Sequence, residues 1–187
     1  MSVEVEVDRA AAVRSALRTL VAQNGFHGAS MSAVARSAGV ATGTAYTYYS
    51  SKDDLVLATY VETKSMLAAA ATRSIDAAAP PAERFRSIWL ATYRHFAAHP
   101  DHARFLVQFD YSPYRATGHD SLPADDPLMA QAAAPDLVAA LVPLPIDVLY
   151  ELGIAPAVRL AAGGVELTKQ ELTTTADACW RAISRAS

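Results

Sequence analysis

Only one cysteine, Cys179, occurs in 187 residues. That excludes an internal disulfide and a thiolate metal cage, and it suits a reducing compartment. Glycine is sparse, at eight, and none lies in a GxSxG nucleophile turn or a phosphate-cradling loop. No carboxylate pair stands in a recognisable catalytic context. Long apolar runs are missing as well. The two richest stretches, residues 138–146 and 154–165, are interrupted by Pro143, Pro145, Pro156 and the pair Gly163-Gly164. Neither approaches the roughly 20 residues that span a bilayer. Glu4, Glu6 and Asp8 stand where a secretory leader needs cations followed by an apolar run. The expectation is a soluble, cytoplasmic protein with no membrane partner, no metal and no cofactor.

Charge is modest: 19% of residues are charged and the net is −3, while 52% are hydrophobic. A disordered polyelectrolyte is excluded, and the length is enough to bury a core. What the chain has in abundance is alanine, 40 residues, about one in five. Alanine has the best helix propensity and little strand preference. With no alternating pattern and no repeat, the expected fold is all-α.

Helical punctuation divides the chain. Val13, Ala16, Leu17, Leu20, Val21 and Asn24 recur on one face of a first helix, which Gly25 stops. Ser30 caps a short segment over 31–38, Gly39 ends it, and Thr42 is placed to cap a third helix over 42–49. Ser51 precedes a long helix over 52–78. Further helices are expected over 81–99, 101–111, 127–141, 145–162 (kinked at Pro156) and from Thr168 to Arg185, where Thr168 and Glu171 form a capping box. Residues 112–127, with three prolines and Gly118, read as a loop. The count is about nine helices.

The net charge conceals an asymmetry. Over residues 8–52, Arg9, Arg14, Arg18, Arg36 and Lys52 face only Asp8, a net of +4 inside an acidic chain. A small cationic unit joined to an acidic remainder suits a nucleic-acid reader with a second role, although scattered charge produces the same sum. The segment 31–49 sharpens this reading. Two short helices meet across Gly39, with the small residues Ala35 and Ala45 at the crossing, as a helix-turn-helix requires. At 100° per residue, Ala45 and Tyr49 share the face that turns to the core. Gly43, Thr44 and Thr47 project oppositely, flanked by Tyr46 and Tyr48, and no acid lies among them. Hydroxyls bond phosphates or base edges, and a threonine methyl packs on thymine. Lys52 adds a cation beside the same edge.

These residues carry a resemblance. Gly25-Phe26, the run from Ser30 to Ala35, the run from Ala38 to Tyr49, and Ser51 through Leu55 resemble the N-terminal domain of TetR-family transcriptional regulators in order, spacing and residue type. The resemblance covers about 50 residues; beyond them only length and helicity are similar. It implies an N-terminal three-helix DNA-binding domain (residues 1–51) and a C-terminal antiparallel helical bundle (52–187) for effector binding and dimerisation. It further implies a homodimeric repressor on double-stranded, palindromic operator DNA, released by a small molecule. By position, Ser30 would touch phosphate, Thr42, Gly43, Thr44, Tyr46, Thr47 and Tyr48 would face DNA, and Lys52 would clamp the backbone. The sequence departs from the family where lysine is common at Thr42, a larger aliphatic at Ala45, histidine near Tyr48 and phenylalanine at Tyr49.

In the C-terminal part, Trp89, Tyr93 and Phe96 step along one helix, and Phe105 and Phe109 along the next, with Gln108 beside them. Such stripes are either plain core or the lining of an apolar effector site. No cluster of arginine or lysine marks an anion site there, so a hydrophobic or aromatic effector is expected. Val148, Leu149 and Leu152, with Trp180 and Ile183, are candidates for a four-helix dimer interface. Two alternatives stay open. One is a small-molecule-binding helical protein with weak or lost DNA affinity. The other is a metal-dependent enzyme using His95 and His99, which stand four apart but lack a glutamate between them.

Overall fold

The computed structural model describes residues 2–73 and 75–185; side chains of residues 2–8 and 119 are outside the description. The chain is all-α, with no strand among the described residues. In order the helices are α1 (Ser2–Asn24), α2 (Met31–Ser37), α3 (Thr42–Tyr48), α4 (Lys52–Thr72), α5 (Pro81–Ala98), α6 (Pro100–Asp110), α7 (Arg115–Asp120), α8 (Pro127–Ala132), α9 (Pro135–Ala140), α10 (Ile146–Gly153), α11 (Ala155–Ala162) and α12 (Lys169–Ile183). A 3₁₀ turn, Phe26–Gly28, joins α1 to α2.

Among the described residues twelve helices replace the roughly nine expected, and the reasons are local. Pro135 has no N–H and holds Ala134 extended, which splits residues 127–141 into α8 and α9. Pro156 lies in the first turn of α11, so the expected kink is a break. The expected loop over 112–127 contains α7, where Gly118 passes so close to Phe109 that no Cβ fits. α4 ends at Thr72 rather than near residue 78. Asp76 takes the Ala78 N–H on its side chain at 2.9 Å, and that local bond competes with helix. The last helix stops at Ile183, two residues short of Arg185.

The caps behave unevenly. Ser30 accepts the Ala33 N–H at 3.2 Å, Ser51 accepts that of Asp54 at 3.0 Å, and Asp126 accepts from Leu128 and Met129. The Thr168–Glu171 capping box is complete. Thr42 caps nothing: Ala41 is the N-cap of α3 and Thr42 is its first helical residue. Gly25 and Gly39, both at φ +68°, make the left-handed turns that end α1 and α2.

Two compact units result, Met1–Lys64 with Arg104–Pro123 and Ser65–Ala103 with Ala124–Ser187, so α4 and α6 each contribute to both. In the first unit α1 packs on α2 and α3. Its core holds Val13, Leu17 and Val21 of α1, Val34 and Ala35 of α2, Ala45, and Leu55 and Val56 of α4. Each buried valine or leucine contributes about 1.5–3 kcal/mol. Tyr60 stacks on Phe109 at 4.0 Å, and Phe26 packs against Phe105 and Tyr114. In the second unit α5 packs on α11 and α12, and α10 lies against both of those helices. A single antiparallel bridge, Leu141 to Ser184, ties the end of α12 to the segment after α9.

Candidate nucleic-acid interface

The candidate surface is built on α2 and α3. Gly39 has open space where a Cβ would sit, so its glycine answers to the turn's positive φ rather than to crowding. The turn is closed by the Val40 N–H donating to the Ala35 carbonyl at 3.0 Å. Beyond it α3 makes barely two turns. Ala45 is completely buried against its own unit, and Tyr49, the C-cap, is buried beside it. The other side of the wheel faces solvent: Thr42, Gly43 and Thr47 are exposed, Tyr46 is 50% exposed, and Thr44 and Tyr48 are half-buried. Thr47 donates its hydroxyl to the Gly43 carbonyl at 3.1 Å, which leaves its oxygen as an acceptor. Ser30 is exposed at the start of α2, its oxygen engaged by the cap and within 3.1 Å of Ser32 Oγ. No acid stands in this surface, and Gly43 leaves the backbone bare near the start of α3.

The cations are arranged differently from the expectation. Lys52 Nζ donates to the Phe26 carbonyl at 2.5 Å and so closes the 3₁₀ turn. Arg14 and Arg18 turn inward to one carboxylate. Arg14 Nε lies 2.8 Å from Glu62 Oε1, Arg18 bonds Glu62 Oε2, and Arg18 Nε reaches Thr63 Oγ1 at 3.0 Å. Arg14 also donates to the Tyr49 hydroxyl at 2.5 Å. Burial pushes the Glu62 carboxyl up, but the bonds and charges of Arg14 and Arg18 outweigh it and hold the group below its ordinary range. Of the five cations behind the local +4, only Arg9 and Arg36 are exposed. Glu62 went unnoticed in the sequence because its partners are 44 and 48 residues away.

The candidate effector residues fall in different units. Trp89 and Phe96, fully buried, and Tyr93 belong to α5, in the second. The Tyr93 hydroxyl donates to the Val165 carbonyl at 2.6 Å. Phe105 and Phe109, also fully buried, belong to the first unit, where Gln108 points to solvent. Among the dimer candidates, Val148 and Leu152 are 39% and 42% exposed and Leu149 is half-buried. Trp180 leans on Phe85 with ring centroids 5.3 Å apart. Ile183 is buried in its own subunit against Gly153, so it has little surface to offer a partner. The rings of His95, His99 and His102 cluster with centroids 5.0–5.7 Å apart. Among the described residues, however, no three histidine, cysteine or acidic groups are disposed to hold a metal ion.

Comparison with known proteins agrees with this geometry. Residues 13–59 match the family described as bacterial regulatory proteins, tetR family, and residues 80–184 match the tetracyclin repressor-like C-terminal domain. An HTH-type transcriptional regulator of Haemophilus influenzae is 27% identical, over 97% of this chain and 99% of that protein. The crystal structure of a TetR-family regulator from the same organism superposes with a TM-score of 0.77 at 26% identity, over 97% of this chain and all of the other. A TetR-family regulator from Marinobacter aquaeolei shares the fold, with a TM-score of 0.80 at 23% identity over 98% and 99% of the two chains.

Proposed function

This chain belongs to the tetR family of bacterial regulatory proteins and is a transcriptional regulator rather than an enzyme; from that premise we propose a homodimeric repressor that an apolar or aromatic small molecule releases from its operator. Residues 1–51 read DNA, and residues 52–187 bind effector and partner. One observation carries the reading: a two-turn helix, pinned by buried Ala45 and Tyr49, turns an acid-free face of threonine, glycine and tyrosine to solvent. A helix of that kind enters a major groove, where hydroxyls meet phosphates and base edges. Ser30 and the N-terminal turn of α3 contact phosphate, and Thr44, Thr47, Tyr46 and Tyr48 face the bases. Lys52 acts chiefly by holding the 3₁₀ turn. A repressor acting on operator DNA would work in the cytoplasm.

The aromatic face of α5, with Trp89, Tyr93 and Phe96 and no cluster of arginine or lysine, supports an apolar effector. An effector that binds one spacing of the two heads better than the other shifts the dimer off its operator. An inducer that proves to be a polyphosphate overturns this part.

The test is a mobility shift on the duplex upstream of the protein's own gene, repeated across salt concentrations. Binding should weaken linearly with log salt. The triple variant Thr44→Ala, Thr47→Ala, Tyr48→Ala should lose at least about tenfold in affinity, since good base contacts are worth about 1–3 kcal/mol each. Full affinity in that variant refutes the assigned face. With two of the five cations turned inward, a head that binds no DNA is the competing reading, and a silent wild-type protein would favour it.

A further inference from the structure

We infer that Glu62 of α4 is a positioning residue for the DNA-reading helix, acting through Arg14 on Tyr49. The inference rests on α3 being the reader. That helix has seven residues, too few to be stable alone. Its N-cap, Ala41, supplies no side-chain bond. Its orientation therefore depends on its packing against α1 and α2, where Ala45 is buried, and on the seat of Tyr49 at its C-terminal end.

Tyr49 is more than a core aromatic. Its backbone N–H closes α3 on the Ala45 carbonyl, and its hydroxyl lies between Arg14, at 2.5 Å, and the Ala10 carbonyl, at 3.4 Å. Arg14 in turn is fixed by Glu62: the Arg14 Nε and Nη2 lie 2.8 Å and 2.6 Å from Glu62 Oε1. The second oxygen of the same carboxylate takes Arg18, which is itself bound to Thr63. One acid thus orients two arginines four residues apart on α1, and one of them holds the end of the reading helix. Each of these groups is buried or half-buried, so the bonds are charge-assisted and weakly screened. The acid has a second consequence: it keeps two cations turned away from solvent, where they would bind any duplex without regard to sequence.

The test uses the full chain, a duplex that the wild-type protein enriches from a random-sequence pool, and a shuffled duplex of equal length. Glu62→Gln keeps the volume and removes the charge. Its affinity for the enriched duplex should fall about tenfold, the scale of one charge-assisted bond. Its affinity for the shuffled duplex should stay the same or rise. Tyr49→Phe should lose less, and the double variant should bind no worse than Glu62→Gln, because the two act in one chain of contacts. A merely structural role would instead lower both duplexes in the same ratio. That outcome, additive losses, or full specific affinity in Glu62→Gln overturns the assignment. Should Glu62→Gln not fold, unimpaired specificity in Tyr49→Phe overturns it equally. A wild-type protein that enriches no sequence overturns the DNA reading instead. Amide exchange still decides the positioning in that case: residues 42–49 should exchange faster in Glu62→Gln while α12 does not, and unchanged exchange over 42–49 refutes it.

Discussion

At the scale of single residues, the sequence discloses whatever depends on angle along one helix. Ala45 and Tyr49 share the inward face of α3 because four residues at 100° nearly complete a turn, and both are buried. Contacts with distant chain escape it. The sequence alone counted Arg14 and Arg18 toward the local net of +4, and Glu62, far along the chain, turns them inward. Gly118 escaped for the same reason, since its neighbour is the ring of Phe109. An added Cβ there would lie 2.4 Å from Phe109 Cζ, and that ring, stacked on Tyr60, has nowhere to move. Gly118→Ala should therefore lower the unfolding free energy by about 1–3 kcal/mol, as overpacking does. Denaturant titration reads this directly, and a neutral result means α7 shifts freely. His95 sets a pH dependence. Burial first, and then the charge of His99, hold its imidazole below the ordinary value of 6.5. The unfolded chain takes up a proton as pH falls through 6.5, while the folded protein resists it. Stability present at neutral pH is thus lost progressively toward the folded value. Denaturation midpoints compared at about pH 7.5 and about pH 5.5 should fall more in wild type than in His95→Gln, and equal slopes refute the link.

At the scale of elements, most helices were legible, but α7 and the helix ends were not. Alanine richness and one-faced periodicity mark the helices, but they are silent about where backbone N–H groups find other partners. Beyond the end of α4, Asp76 offers Ala78 a side-chain acceptor in place of a helical carbonyl, and Pro135 and Pro156 divide helices that apolar pattern alone runs together. The two threonines placed as caps separate cleanly. Thr168 accepts the Glu171 N–H at 3.3 Å and receives its carboxylate in return, and the Thr168 N–H and hydroxyl hold Glu171 below its ordinary range. Thr42 makes no capping bond, because the chain enters α3 one residue earlier, at Ala41. Thr168→Ala should cost about 1 kcal/mol and Thr42→Ala close to none, in thermal or denaturant unfolding. The DNA assay should reverse the order, since Thr42 belongs to the proposed reading surface and Thr168 does not. Equal stability losses would mean that α3 is capped differently in solution.

At the scale of the whole molecule, the apolar residues left on the surface bear on assembly. Ile146 is 75% exposed, and Val148 and Leu152, four residues apart on α10, share a face. In the proposed dimer these side chains would form part of the contact with the partner. α10 has eight residues, about 12 Å of helix, and cannot alone supply the roughly 800 Å² that each partner of a stable dimer buries. Neighbouring surface must add to it. Trp180, half-buried on Phe85, remains available, whereas Ile183 is spent inside the subunit. The sequence pattern grouped Val148, Leu149, Leu152, Trp180 and Ile183 because helical period reports which side chains align, not whether the aligned face meets its own subunit or another. The distinction is measurable. Val148→Glu with Leu152→Glu should convert a species of about twice 19.9 kDa into one of 19.9 kDa by sedimentation, with the fold retained. Ile183→Ala should instead lose about 2–5 kcal/mol of stability and leave the mass alone. The separated subunits should bind DNA about a hundredfold more weakly, because the second head no longer binds at the effective concentration that the first confers. Their salt dependence should be about half as steep, since half the phosphate contacts remain. A doubled mass that survives both glutamates places the interface elsewhere. A monomer with unchanged affinity and salt slope would show that a single head suffices, and the two-headed repressor would have to be abandoned.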